Sequence, residues 1–138
     1  MNTVLIFGTF DFLHSGHLHA FEEAKKLGDH LIVCVGRDKA VEEIKGTLPI
    51  HSEDERLRLV KHVDLVDDAF LGDEAQGIYS FFENIQPDVI ALGYDQHDLR
   101  DDIEVYMKAH HAHAVLVNLP AYKQGDTKSS TIKHALGL

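Results

Sequence analysis

This chain of 138 residues is poor in cysteine and in basic charge. A single cysteine, Cys34, allows no internal disulfide, and its place in the apolar run Leu31-Ile32-Val33-Cys34-Val35 makes it a buried strand residue rather than a metal partner. A reducing, cytoplasmic setting is the expectation that follows. No charged-then-apolar leader opens the chain and no apolar run approaches the ~18 residues that a membrane span requires, so no membrane partner is expected. Lys and Arg number 13 against 23 Asp and Glu, a net charge of -10, which would repel a phosphate backbone over most of the surface and argues against nucleic acid as a partner. Internal repeats and low-complexity linkers are missing too. With 44% hydrophobic residues the chain matches one ordinary domain, residues 1–138, around a single core.

What is present is an alternation of strand-like and helix-like segments, which favours a parallel sheet with helices on both faces. Apolar runs at Thr3-Phe7, Leu31-Val35, Ala69-Leu71, Asp88-Leu92 and Ala114-Asn118 read as five strands. Leu18, Phe21 and Ala24 mark a first helix, with Gly28 as its left-handed cap. Ser52 and Glu55 form a capping box before a helix through Leu57, Leu59 and Val60. Further helices are expected over Ile78-Ile85, stopped by Pro87, over Leu99-His110, and over Ser129-Leu136 at the end. The expected fold is α/β, a Rossmann-like domain with about five parallel strands.

The most specific segment is Gly8-Thr9-Phe10-Asp11-Phe12-Leu13-His14-Ser15-Gly16-His17. It lies where the first strand leaves the sheet and turns into a helix. At that junction the carboxyl ends of the strands open a crevice, and the helix start offers unpaired N–H groups to anions. His14 and His17, three apart, point to nearly one side of the first helical turn, and Gly16 removes a side chain that would block a ligand. An anion on so acidic a body needs a local island of positive charge. Its candidates are Arg37, Lys45, Arg56, Lys123, Lys128 and Lys133; Lys25-Lys26 read as the solvated face of the first helix.

The run GTFDFLHSGHLHAFEEAKKLGD closely resembles the opening of the HxGH nucleotidyltransferases, in particular their cytidylyltransferase-like branch, which holds glycerol-3-phosphate cytidylyltransferases and archaeal FAD synthases. The resemblance implies transfer of a nucleotidyl group from a nucleoside triphosphate to a phosphate-bearing acceptor, with release of pyrophosphate. It implies catalytic roles for His14, His17 and Lys45, and nucleotide contacts from Gly8, Thr9, Phe10, Gly16 and Asp95. By spacing alone Lys45 reads as a surface lysine in a loop; the family match reverses this. Ser129-Ser130-Thr131 resembles a motif that grips the outer phosphates, and ordinary N-capping by Ser129 is compatible with that. Arg56, of a Glu-Arg pair, is a substrate-binding candidate or a brace for the loop, and Lys123 is a second substrate-binding candidate.

Mg²⁺ is implied as a companion of the triphosphate, with Asp11 as its contact or, equally, as a turn residue. Leu92-Gly93-Tyr94-Asp95-Gln96 has the form carried by the FAD synthases, and no arginine precedes Ser129 as in the CTP users; the paired cysteines common in FAD synthases are lacking. ATP with FMN is therefore the expected substrate pair. CTP with glycerol 3-phosphate is the alternative, and a non-catalytic nucleotide-binding domain is a third reading. A homodimer is implied by resemblance alone. His110, His111 and His113 could be imagined as a metal site, but neighbours on a helix point about 100° apart and no partner stands nearby.

Overall fold

The apolar runs are nearly continuous because parallel strands between two helical layers are buried on both faces. The computed structural model describes residues 2–121, and its five strands are β1 (Thr3–Gly8), β2 (His30–Val35), β3 (Asp68–Leu71), β4 (Val89–Leu92) and β5 (Val115–Asn118). They form one parallel sheet in the order β3-β2-β1-β4-β5, with Leu5 level with Ile32 and Ile90. The chain therefore leaves β1 toward one edge and returns across it to β4. This reversal opens a crevice between the carboxyl ends of β1 and β4.

Alternation along each strand divides the core in two. Val4, Ile6, Leu31, Val33 and Val35 pack against Phe21 and Ala24 of α1 (Ser15–Lys25) and Val60 of α3 (Glu53–Lys61). Leu5, Ile32, Cys34, Ile90 and Leu92 face Ile103 of α4 (His97–His110) and Phe81 of a single 3₁₀ turn, Ser80–Glu83. Ser52 caps α3 as expected, accepting the Glu55 amide at 3.3 Å. Helices thus cover both faces.

Three expectations need correction. The helix expected over Ile78-Ile85 is only that 3₁₀ turn, because Gly77 and Tyr79 take left-handed φ of 79° and 47° and Asp73 holds the Ser80 amide, leaving one turn before Pro87. An unanticipated helix, α2 (Asp38–Lys45), runs into the stretch Glu43-Gly46 expected as a loop; Ala40, Val41 and Ile44 fall at helical spacing, but the helix is only two turns long and buries only Val41. Gly28 is not a left-handed cap, since α1 ends at Lys26 in right-handed conformation. A glycine is required there for closeness: a Cβ would lie 2.6 Å from the Asn2 carbonyl oxygen, which accepts the Asp29 and His30 amides. The expected helix over Ser129-Leu136 lies outside the described residues.

Candidate active site

Four of the five strands are closed by a glycine at or just past the end, and Gly8, Gly36, Gly72 and Gly93 all line the crevice. Bare backbone at four strand ends lets a ligand approach the sheet closely. From Gly8 the chain makes a strained turn into α1, with Phe10 and Phe12 at φ of 56° and 55°. Left-handed conformations of bulky residues persist only where surroundings enforce them. Here Phe10 is buried against the rings of Phe21 and His17, and Phe12 packs on His51. Gly8 must lack a side chain because a Cβ would lie 2.6 Å from the Phe10 ring.

The start of α1 is capped by imidazoles in place of the usual hydroxyl and carboxylate. His14, the N-cap, accepts the Gly16 amide on Nδ1 at 3.0 Å, and His17 accepts the His14 amide on Nδ1 at 3.3 Å. A nitrogen that accepts from an N–H carries no proton itself, so in the neutral ring the proton sits on Nε2. Both histidines are thereby set as Nε2–H donors. The rings stack at 4.1 Å. Burial lowers the pKa of His14; burial first, then the charges of His14 and Lys45, push His17 down to about 4, against an opposing effect of Asp11. Two neutral donors stand side by side, and His14 Nε2 is buried without a partner among the described residues. An orphaned buried N–H is unfavourable by ~1–3 kcal/mol and marks a place for an acceptor.

Lys45 ends α2, with Gly46 its left-handed cap at φ 81°, and is the single Lys or Arg among the described residues that line the crevice. The wider island of positive charge shrinks accordingly. Arg56 is a correction to the substrate-binding expectation: it is 0% exposed and braces the loop, donating to the carbonyls of Thr9 and Gly36, both at 2.7 Å, and of His51 at 3.1 Å, and to Asp38 Oδ1 at 2.6 Å. Arg37 is held by the Gly72 carbonyl and Glu53. Lys25, expected as merely solvated, pairs with Asp67.

Asp11, expected as the Mg²⁺ contact, is 3% exposed and accepts the Ile50 amide on Oδ2 at 2.8 Å and the His51 amide on Oδ1 at 3.1 Å. Its carboxylate is engaged by backbone on both oxygens, which favours the structural alternative. No group of three or more His, Cys, Asp or Glu is arranged for a metal among the described residues. His110 and His111 do not converge, since His110 stacks on Tyr106 at 4.0 Å and His111 caps α4 in left-handed conformation. Thr9, Gly16 and exposed Asp95 line the crevice as expected. Gln96, expected only as the last residue of the Leu92-Gln96 motif and given no role of its own, clips β4 to β1: it accepts the Gly93 amide at 2.8 Å and donates to the Phe7 carbonyl at 3.1 Å. Its signal was its place three residues beyond a strand-end glycine. Lys123, Ser129, Ser130 and Thr131 lie outside the described residues.

Comparison with known proteins shows the family. The profile of the cytidylyltransferase-like family matches residues 5–135. Archaeal FAD synthases are similar: that of Archaeoglobus profundus is 41% identical over 95% of this chain and 83% of its own length, and that of Thermococcus sibiricus 39% identical over 91% and 85%. The Ferroglobus placidus FAD synthase is 52% identical over 70% of this chain, and the matched stretch spans 62% of that protein. Among solved structures, a Thermoplasma volcanium protein described as a lipopolysaccharide core biosynthesis protein superposes with a TM-score of 0.80 at 36% identity, covering 89% of this chain and 99% of that one. Pantoate-beta-alanine ligase of Francisella tularensis, 16% identical with a TM-score of 0.65 over 96% of this chain and 65% of its own, shares the fold alone.

Proposed function

This chain belongs to the cytidylyltransferase-like family and is a nucleotidyltransferase; from that premise we propose that it joins the adenylyl group of ATP to FMN, forming FAD and pyrophosphate. The observation that carries the reading is the imidazole pair at the start of α1, tied by both Nδ1 atoms to backbone and presenting neutral Nε2–H donors, one of them buried without a partner among the described residues. Such donors suit a phosphoryl oxygen, which accepts strongly and brings its own charge. A phosphate oxygen of FMN attacks the α-phosphorus in line, and the bond to the bridging oxygen breaks with its electron pair leaving on pyrophosphate. His14 and His17 donate hydrogen bonds to the transferring group and the bridging oxygen, and the Lys45 ammonium offsets charge that accumulates there. No general base is needed, because the attacking phosphate is already ionised.

Mg²⁺ enters with ATP as part of the substrate, held by phosphate oxygens and water, in keeping with an ion that needs few protein ligands. Asp95, at the end of β4, and the bare backbone of Gly8 to Phe10 and Gly16 serve the nucleotide. Ser129, Ser130, Thr131 and Lys123 are assigned to phosphate and substrate contact by resemblance. The acceptor side favours a flavin over glycerol 3-phosphate: Phe7, Phe70, Tyr79 and Phe81 line the crevice and match a large aromatic ring system. A homodimer working in the cytoplasm, with neither nucleic acid nor membrane as partner, completes the proposal; no helix among the described residues is long and apolar enough to cross a membrane. The test is pyrophosphate release with ATP or CTP against FMN or glycerol 3-phosphate. FAD formation with ATP and FMN is the expected result, and CDP-glycerol formation without FAD overturns it.

A further inference from the structure

Between β2 and α3 the chain forms a strap, residues 38–51, that carries Lys45 at its middle and has almost no core of its own. Its helix α2 buries one side chain, Val41, and residues 42–48 are exposed. Gly46 turns the strap at φ 81°, where an added Cβ would meet nothing within 4 Å. With so little apolar burial, the position of Lys45 depends on how the two ends are tied.

Both ends are tied by polar groups. At the near end Asp38 and Glu53 hold each other's amides, the Asp38 amide donating to Glu53 at 2.9 Å and the Glu53 amide to Asp38 at 3.3 Å, while Arg56 donates to Asp38. At the far end the Asp11 carboxylate accepts the Ile50 and His51 amides, and Arg56 donates to the His51 carbonyl. Asp11 belongs to the same strained turn that leads into His14 and His17, so one short segment both presents the histidines and fixes the strap that brings the lysine. A carboxylate that accepts two amides with its separate oxygens sets a distance and an angle at once, which a single acceptor cannot do.

We propose that Asp11 is a positioning residue for the transfer: by holding the Ile50 and His51 amides it closes the strap and sets the reach of Lys45 toward the phosphates beside His17, so its effect on turnover passes through Lys45. The inference rests on the part given to Lys45 under the proposed function. It also predicts that Asp11 takes no part in the Mg²⁺ requirement.

The test is a double-mutant cycle on FAD formation from ATP and FMN, using Asp11→Asn, Lys45→Ala and the pair, with Mg²⁺ titrated for each. Asparagine keeps one acceptor and turns an NH₂ toward the other amide. Asp11→Asn is expected to lower kcat ~10–100-fold, in the range of a misplaced catalytic group, with smaller changes in either KM. In the Lys45→Ala background the same substitution is expected to change kcat by no more than about twofold. The Mg²⁺ concentration for half-maximal rate should match the wild type. If Asp11→Asn melts near the assay temperature, Asp11→Glu takes its place in the cycle, keeping charge and both acceptors displaced by one methylene. Losses that add across the cycle, or a shifted Mg²⁺ requirement, overturn this inference alone. Full activity of Lys45→Ala overturns the part given to that lysine and the inference with it, whereas a wild-type chain that forms no FAD overturns the functional reading.

Discussion

His17 joins local structure to chemistry in one ring. Its Nδ1 caps the first turn of α1, its face packs on Phe10, and its Nε2–H is left to donate. His17→Ala removes a donor needed most in the transition state, so kcat is expected to fall ~10²–10³-fold while nucleotide affinity changes far less. The lost cap should lower stability by only ~1 kcal/mol. Stopped-assay kinetics and urea unfolding check the two parts, and wild-type turnover would remove His17 from the mechanism. The lowered pKa has its own consequence. An unfolded His17 binds its proton near 6.5 and the folded one only near 4, so between these values the unfolded chain holds more protons. The stability owed to a neutral His17 is therefore complete above about pH 6.5 and falls away as pH drops toward 4. His17→Ala should flatten that part of the stability profile, and an unchanged slope between pH 7 and pH 5 would show that the ring is not held neutral by burial.

At the scale of elements, the turns separate two uses of glycine. Gly28 joins α1 to β2, where a Cβ would come within 2.6 Å of the Asn2 carbonyl oxygen and 2.8 Å of the Val4 side chain. Neither neighbour can retreat, since Asn2 is bonded to two amides and Val4 is in the core. Gly28→Ala is expected to destabilise by ~1–3 kcal/mol through overpacking. Gly46, capping α2, has open space around it and only its positive φ to defend, so Gly46→Ala should destabilise by no more than ~1 kcal/mol. Chemical denaturation of both variants checks the order; a larger loss at Gly46 would mean that the strap contributes more to stability than its single buried residue implies. A third use, bare strand ends facing the crevice, concerns ligands rather than stability.

For the molecule as a whole, an acidic body with one lysine among the described residues of its crevice must bind anions by local geometry rather than by its overall field. Discrimination between nucleotides then rests on contacts to the base, where the wrong edge leaves buried polar groups unpaired. ATP at about 100 times its Kd should stabilise the fold by ~2.7 kcal/mol, and CTP at the same concentration should do so much less. Thermal unfolding with each nucleotide measures the difference. Equal shifts in Tm would show that this site holds the triphosphate and does not read the base.

The five strands are legible in the amino-acid order alone, because strands buried on both faces must be written as apolar runs, and so is the histidine pair, because a strand-to-helix turn ending in HxGH has few other uses. The first turn of α3 was equally legible, since Ser52 meets its partner three residues away. Pairings between residues distant along the chain emerge only on folding. Arg56 is a brace because Thr9, Gly36, Asp38 and His51 converge on it, and Asp11 is an anchor because Ile50 and His51 are brought to it. Helix α2 exists with one buried residue because Asp38 at its start and the strap beyond its end are held from outside, and the turn at Tyr79 because Asp73 and the left-handed residues before it forbid a longer helix. Local periodicity records which face an element buries; it carries no record of which distant carbonyl or amide a charged side chain will meet.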